Sequence, residues 1–139
     1  MKVYVKQVED FHFVGVGDFG KELLIDAANY VGGKNRGFRP PELLFHSLAG
    51  CVGIHLYEAL KKEGKSPNHI EIETDADRVT DSYPKVFKKI FLKVRLSGNV
   101  SVQDVENAMK KTIFDPGTCS IAYMINQIAP IEYSIELKE

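Results

Sequence analysis

Two cysteines stand in different settings and are the clearest candidates for chemistry in this chain. Cys51 lies within an apolar stretch that has helical character, whereas Cys119 follows the turn Asp115-Pro116-Gly117. A helix that starts after such a turn offers free backbone N–H groups and the positive end of its dipole, and both favour a thiolate. A reactive thiol with a resolving thiol is the chemistry that this pair predicts.

Length and composition limit the classes of protein to which the chain can belong. The 139 residues and 44% hydrophobic content suit one domain, residues 1–139, with a real core. With 18 Lys+Arg against 19 Asp+Glu, the net charge of -1 provides no long-range attraction for nucleic acid or an anionic membrane. We therefore expect neither as a partner.

The N-terminus predicts where the protein works. Residues 1–6 alternate apolar and polar side chains and lack the apolar run and cleavage site of a secretory signal, so we expect a cytoplasmic protein. In a reducing compartment the two cysteines are catalytic, redox-active or simply buried rather than a permanent cross-link. No CxxC pattern indicates zinc, and we expect no metal and no cofactor.

The first half of the chain predicts a strand meander followed by a long helix. Apolar residues at 3–5 and 11–16 indicate a strand pair, and residues 22–27 indicate a third strand. The glycine-rich and basic segment 30–39 is expected to be an exposed loop, a common border of a functional site. Residues 41–62 are then predicted to form the longest helix. The proline at its start is compatible with this prediction, because prolines are tolerated at the first position of a helix.

That helix is apolar around most of its circumference. Leu44, Leu48 and Val52 belong to one stripe, while Ile54 and Tyr57 extend the apolar surface to other faces. At about 1.5 Å per residue the helix is about 30 Å long, which is hard for a chain of this size to cover alone. We expect a homodimer that buries the helix, unless the sheet of one chain wraps around it.

The second half predicts two strands, two helices and a final strand. Residues 70–77 alternate strictly and present four carboxylates on one face, opposite basic residues of a strand over 85–96. A metal site is one interpretation of these carboxylates, but a solvated sheet face explains them without further assumptions. Ser101 and Asp104 indicate a capping box. The remaining elements are a helix over 118–127 and a strand over 131–137. The order is βββ-α-ββ-αα-β, an α+β fold.

The residues around both cysteines resemble those of a known family. Pro41-x-Leu43-Leu44 followed by Leu48-Ala49-Gly50-Cys51 on a long helix, with Cys119-Ser120 opening a late helix, is similar to the OsmC/Ohr family of thiol peroxidases. The resemblance implies an intertwined homodimer around the long helices. It also implies that Cys51 attacks a hydroperoxide, organic or hydrogen peroxide, in oxidative-stress defence. The Cys51 sulfenate is then resolved by Cys119, and a thiol reductant completes the cycle.

One part of the family pattern is altered, which indicates a divergent branch. Members specific for organic hydroperoxides use a glutamate on the helix and an arginine from the N-terminal region. The family spacing, counted back from Cys51, reaches Pro41, and Glu42 lies one place later. Arg36 or Arg39 could supply the cation that favours the thiolate, although a solvated loop arginine is the simpler explanation for either residue. Glu42 could also simply complement the helix dipole.

Alternatives remain for the site and for the function. His55 lies one turn after Cys51 and would activate the thiol if the two side chains were paired. In the alternative interpretation His55 lies at the dimer interface or the exposed rim of the helix. A metal site made of Cys51 and His55 is improbable, because no third ligand is evident. The chain could instead be a non-enzymatic dimeric module that binds or senses a small apolar or thiol-reactive ligand beside Cys51. In a third interpretation both cysteines are inert packing residues.

Overall fold

The computed structural model describes residues 1–138 and has the predicted order of elements. The α+β class and the βββ-α-ββ-αα-β order are therefore confirmed. The chain divides into two compact units, Met1–His46 and Ser47–Glu139, and the single-domain organisation stays a prediction. The elements are β1 (Tyr4–Glu9), β2 (His12–Val16), β3 (Glu22–Ile25), α1 (Pro40–Lys62), β4 (Ser66–Arg78), β5 (Phe87–Asn99), α2 (Val102–Ile113), α3 (Ser120–Asn126) and β6 (Ile131–Leu137), with a 3₁₀ turn at Asn29–Val31.

The first unit is built on an antiparallel meander of β1, β2 and β3. β3 ends at Ile25, two residues before the predicted end, because the chain pairs differently from there on. Phe38 N–H donates to the Leu24 carbonyl at 2.8 Å, and Asp26 N–H donates to the Phe38 carbonyl at 3.0 Å. The residues before α1 are therefore held along β3.

The segment 30–39 was predicted to be an exposed loop, and this is only partly right. Gly33 is buried, and Arg36 and Gly37 are half-buried. A side chain at Gly33 would overlap the Ala27 carbonyl, and one at Gly37 would overlap the backbone of Leu24. The absence of a Cβ at these positions allows the close backbone approach that anchors the segment to the end of β3.

The second unit contains a sheet in the order β4-β5-β6. β5 pairs antiparallel with β4 and parallel with β6, so the chain crosses over through α2 and α3 between the last two strands. As predicted, alternate residues of β5 point into the core. The four buried side chains are Ile90, Leu92, Val94 and Leu96.

The other face of this sheet carries rows of charge. Glu71 lies opposite Arg95, Glu73 opposite Lys93 and Asp77 opposite Lys89, which confirms the predicted pairing of acid with base. Within the described residues 1–138 no group of three or more histidine, cysteine or acidic side chains is arranged to hold a metal ion. The opposite basic residues support the interpretation of a solvated, charge-paired face for three of the four carboxylates, while Asp75 lies opposite Phe91.

α1 has one buried stripe within the second unit. Leu48, Val52 and Leu56 are completely buried at intervals of one turn, and Leu60 continues the stripe. Ile54 and Tyr57 remain 69% and 48% exposed. Within the described residues the single chain therefore leaves apolar surface of the helix uncovered, and its burial in a homodimer stays a prediction.

α1 is also long and apolar enough, by length and composition alone, to cross a membrane. This is weak support for a membrane protein, because the core helix of a soluble protein passes the same test. The completely buried stripe from Leu48 onwards shows that one face of this helix belongs to the core.

The predicted start of α2 is confirmed. The Ser101 side chain accepts from the Asp104 N–H at 3.1 Å, and the Asp104 carboxylate accepts from the Ser101 N–H at 2.8 Å, which is a complete capping box. α3 is shorter than the predicted 118–127. Cys119 is its N-cap, and the helix begins one residue later.

Candidate functional site: a buried and a half-exposed thiol in contact

The structure brings Cys51 and Cys119 together within the second unit. Both are free thiols, and they lie close enough together for the Cys51 side chain to raise the pKa of Cys119. Cys51 is half-exposed, whereas Cys119 is completely buried. The pair therefore consists of one cysteine that is partly open to solvent and one that is completely buried.

Cys51 owes its position to the buried stripe of α1. Leu48 and Val52 lie on either side of it in sequence and are completely buried, so the helix cannot rotate about its axis without exposing them. Cys51 lies at the border of this stripe, where its side chain is only partly covered. The packing of α1 thus fixes the direction of the thiol.

Cys119 is positioned by the end of α2 and the start of α3. Its N–H donates to the Thr112 carbonyl at 3.0 Å, and the Gly117 and Thr118 N–H groups donate to the Lys111 carbonyl at 3.0 and 3.1 Å. Its sulfur then caps α3 by accepting from the Ala122 N–H at 3.3 Å. These bonds hold both the backbone and the sulfur.

The expectation that the setting of Cys119 favours a thiolate is wrong. Burial, and after it the nearby Cys51 side chain, raise the pKa of the Cys119 thiol to about 11. The N–H groups of Ala122 and Ile121 oppose this rise but are outweighed. Backbone amides at the start of a short helix do not compensate for complete loss of solvent.

His55, one turn beyond Cys51, does not pair with it. His55 Nδ1 lies 3.6 Å from a carboxylate oxygen of Glu58, which also contacts Lys62 at 3.1 Å. Over residues 1–138 no hydrogen bond joins His55 to Cys51, and its Nδ1 has no hydrogen-bond partner. The histidine belongs to a row of charged groups along the helix.

Arg39 and Glu42, the two further predicted site residues, lie at the start of α1. Both are exposed, and the Glu42 N–H donates to the Arg39 carbonyl at 3.0 Å. Among the residues that the structure describes, neither side chain has an ion-pair or hydrogen-bond partner. A role for them in activating Cys51 stays a prediction.

Arg36, the other candidate cation, forms ion pairs within the first unit. Its Nε donates to Asp26 at 2.8 Å, and its Nη1 lies 3.2 Å from Glu9. Asp26 is 1% exposed and also accepts from the N–H groups of Ala27, Lys34 and Arg36. The Arg36 guanidinium, with these N–H groups, holds the pKa of Asp26 well below its usual range.

Sequence reasoning did not find Asp26, Thr112 or Ala122. The only signal for Asp26 is an acidic residue placed between an apolar strand and a basic loop. Thr112 and Ala122 act through their backbone groups, for which residue type carries no signal.

Comparisons with known proteins are consistent with this arrangement. The family model described as OsmC-like protein matches residues 33–134, which include both cysteines. No curated protein matches the chain.

Solved structures resemble the chain over nearly its whole length. A hypothetical protein from Aquifex aeolicus VF5 is 25% identical, with a TM-score of 0.85 and coverage of 99% of this chain and 95% of that one. An organic hydroperoxide resistance protein OsmC from Legionella pneumophila is 14% identical, with a TM-score of 0.75 and coverage of 98% and 97%.

The organic hydroperoxide resistance protein OhrB of Bacillus subtilis is 21% identical, with a TM-score of 0.63 and coverage of 99% and 96%. At these identities the likeness to the two resistance proteins shows the fold. The family match, which spans most of the chain, shows more: this protein belongs to the family of OsmC-like proteins.

Proposed function

We propose that the protein is a thiol-dependent peroxidase that reduces hydroperoxides, either organic hydroperoxides or hydrogen peroxide, in oxidative-stress defence. The observation that carries the proposal is the proximity of a partly exposed Cys51 to a completely buried Cys119, whose pKa it raises. A peroxidatic sulfur must be reachable by its substrate, and a resolving sulfur must be reachable by the first. The similar proteins from L. pneumophila and B. subtilis, described as organic hydroperoxide resistance proteins, support the substrate class.

The reaction begins with the Cys51 thiolate. Its sulfur attacks one oxygen of the hydroperoxide, the O–O bond breaks, and the leaving oxygen takes a proton from solvent to give an alcohol or water. Cys51 becomes a sulfenic acid. The sulfur is oxidised by two electrons, and the peroxide is reduced by two.

Resolution follows at the same site. The Cys119 sulfur attacks the sulfenic sulfur of Cys51, an S–S bond forms, and the hydroxyl leaves with the Cys119 proton as water. An external dithiol then reduces the disulfide in two exchange steps and restores both thiols. These steps require no metal or other cofactor.

Dimerisation is part of the proposal. Ile54 and Tyr57 leave apolar surface of α1 exposed in the single chain, and burying it against a second copy would be favourable at about 25 cal/mol per Å². An intertwined homodimer around the long helix would provide this cover. We propose further that the protein acts in the cytoplasm as one domain, with the Arg39 cation and the Glu42 carboxylate close enough to assist Cys51 in the assembled form.

The test is steady-state consumption of cumene hydroperoxide and hydrogen peroxide with dithiothreitol as reductant. We expect turnover in the wild type and a loss of at least about a hundredfold in Cys51→Ser, because a hydroxyl is not a thiolate nucleophile at neutral pH. Cys119→Ser is the matched control, since it makes the same exchange of sulfur for oxygen on the buried partner. It should retain the first oxidation and lose the intramolecular disulfide.

Absence of turnover in a folded wild-type protein would contradict the proposal. A single stoichiometric reaction at Cys51 without turnover would instead favour the dimeric module that binds or senses a thiol-reactive ligand.

A further inference from the structure

The carboxylate of Asp26, the residue after β3, is enclosed by a cradle of backbone N–H groups in the first unit. The N–H groups of Lys34 and Arg36 donate to the same oxygen, Oδ2, at 3.1 Å each. Between them Asn35 has a left-handed backbone with a φ of 55°, a conformation that directs neighbouring N–H groups toward one anion. The Ala27 N–H donates to the other oxygen at 2.8 Å. The segment before α1 is therefore folded around one buried charge.

The Arg36 side chain closes this cradle and connects it to a second strand. Its Nε donates to Asp26 Oδ2 at 2.8 Å, and its Nη1 lies 3.2 Å from Glu9 of β1. The Asp26 side chain is completely buried, whereas that of Glu9 is 68% exposed. An exposed ion pair contributes little and a buried one is costly to break, so Asp26 is the partner that determines where Arg36 lies.

Two residues after Arg36, Phe38 attaches the same segment to β3 and to α1. Its N–H donates to the Leu24 carbonyl at 2.8 Å, and its carbonyl accepts the Asp26 N–H at 3.0 Å. Its ring lies edge to face with that of His46 in α1, with 5.1 Å between the ring centroids. The cradle and the start of α1 are therefore joined by a short segment that is held on both sides.

The first turn of α1 continues from this segment. Only Arg39 separates Phe38 from Pro40, the first residue of the helix. The Arg39 carbonyl accepts the Glu42 N–H at 3.0 Å and the Leu43 N–H at 3.3 Å, so the first turn is bonded to the Arg39 backbone. The place of the Arg39 side chain therefore depends on the cradle.

We propose that Asp26 is a positioning residue of the thiol site: by holding Arg36 and the segment before α1, it places the Arg39 guanidinium where it assists Cys51 in the assembled protein. The inference rests on the proposed function, in which Arg39 assists Cys51. Such assistance depends on precise placement, since a displacement of about 1 Å can cost about a hundredfold in rate. The two candidate arginines then have different tasks, because Arg36 maintains the fold and Arg39 provides the cation.

The experiment measures kcat and KM for cumene hydroperoxide with dithiothreitol as reductant, at a temperature at which circular dichroism shows every variant to be folded. Asp26→Asn should lower kcat/KM about tenfold, because the Arg39 guanidinium is displaced. Glu9→Gln is the matched control, because it removes the exposed partner of the same Arg36 guanidinium. It should retain kcat/KM within about twofold of the wild type.

A second pair of variants tests the cradle without removing its buried charge, which matters if Asp26→Asn does not fold. Asn35→Val, at an exposed position, places a β-branched side chain in left-handed backbone and disturbs the two convergent N–H groups. It should lower kcat/KM about as much as Asp26→Asn does. Asn35→Gly is its control and should stay within about twofold of the wild type, because glycine adopts this conformation freely.

A double-mutant cycle distinguishes positioning from a general loss of stability. Arg39→Ala should itself lower kcat/KM about tenfold, because it removes a cation near the thiolate. In that background Asp26→Asn should change kcat/KM by less than about twofold, since no guanidinium is left to place. Hydrogen–deuterium exchange provides a readout without turnover: the N–H groups of Phe38 and Glu42 should exchange faster in Asp26→Asn than in the wild type.

Three outcomes would overturn the inference in a wild type that shows turnover. Additive losses in the cycle would show that Asp26 acts on the fold in general. Faster exchange with unchanged kcat/KM would show that the start of α1 is not positioned for catalysis. Full activity of Arg39→Ala would leave no group for Asp26 to position. A wild type without turnover would instead refute the proposed function, and the positioning role with it, so the two failures are distinguishable.

Discussion

Asp26 in the first unit and Cys119 in the second are acidic groups with almost no solvent contact, yet they hold opposite protonation states. Asp26 is 1% exposed and Cys119 is 0% exposed. The pKa of Asp26 is held below its usual range, whereas the pKa of Cys119 is raised to about 11. Burial of the same degree therefore accompanies a charged group in one place and a neutral group in the other.

The difference lies in the donors. Asp26 accepts from the Arg36 guanidinium and from the N–H groups of Ala27, Lys34 and Arg36. Cys119 has only the backbone N–H groups of Ala122 and Ile121 to lower its pKa, while the neighbouring Cys51 side chain raises it. A guanidinium together with several N–H donors compensates for the lost solvation of a charge, and backbone amides alone do not. Asp26 is suited to hold a loop in place, and Cys119 is suited to hold and later release a proton.

The largest effect on stability is expected from removing the charge of Asp26. Asp26→Asn leaves the Arg36 guanidinium, whose side chain is 21% exposed, without its main partner, and turns an acceptor toward a backbone N–H into a donor. We expect Tm to fall by about 10 °C, the scale on which a broken buried ion pair acts in a chain of this size. Differential scanning calorimetry at neutral pH measures this change.

An exposed pair provides the matched control for that substitution. Glu73→Gln breaks the contact with Arg95, in which the glutamate side chain is 62% exposed, and should lower Tm by no more than about 2 °C. The difference in Tm between the wild type and Asp26→Asn should also become smaller below about pH 4. A carboxyl with a lowered folded-state pKa stabilises fully above its unfolded value and loses this contribution as the pH falls. Equal effects of the two substitutions would contradict the assigned role of Asp26.

A smaller effect of opposite sign is expected from Cys119 at alkaline pH. The folded state keeps the thiol proton up to about pH 11, while the unfolded chain loses it near its ordinary value of 9.0. Stability therefore falls between these two values in the reduced wild type, because deprotonation favours the unfolded chain. We expect the wild type to lose about 3 °C of Tm relative to Cys119→Ser over this window. An equal fall of Tm with pH in the two proteins would contradict the raised pKa of Cys119.

Local pattern was sufficient to predict the order of the elements. Alternation identified β5 and its buried residues, and the Ser101–Asp104 capping box identified the start of α2, because both signals depend on neighbouring residues alone. Family resemblance directed attention to Cys51 and Cys119. The single-domain organisation and the homodimer remain predictions.

What escaped prediction depends on contacts between distant segments. The turn before Cys119 suggested a thiolate, but the burial that reverses this tendency comes from tertiary packing around Cys119 and the sulfur of Cys51. In the same way, nothing near Arg36 in sequence indicates that Asp26, placed before the loop, engages its guanidinium. Local sequence patterns identified Cys119 and Arg36 as candidates, but the pKa of Cys119 and the ion pair of Arg36 depend on tertiary packing.

The most direct measurement for the central claim is intact and peptide mass spectrometry of the reduced protein after one equivalent of cumene hydroperoxide. The account predicts an intramolecular Cys51–Cys119 disulfide in the wild type, and a sulfenic acid trapped by dimedone on Cys51 in Cys119→Ser. An unmodified wild-type protein, a first oxidation at Cys119, or a disulfide between the Cys51 residues of two chains would contradict it.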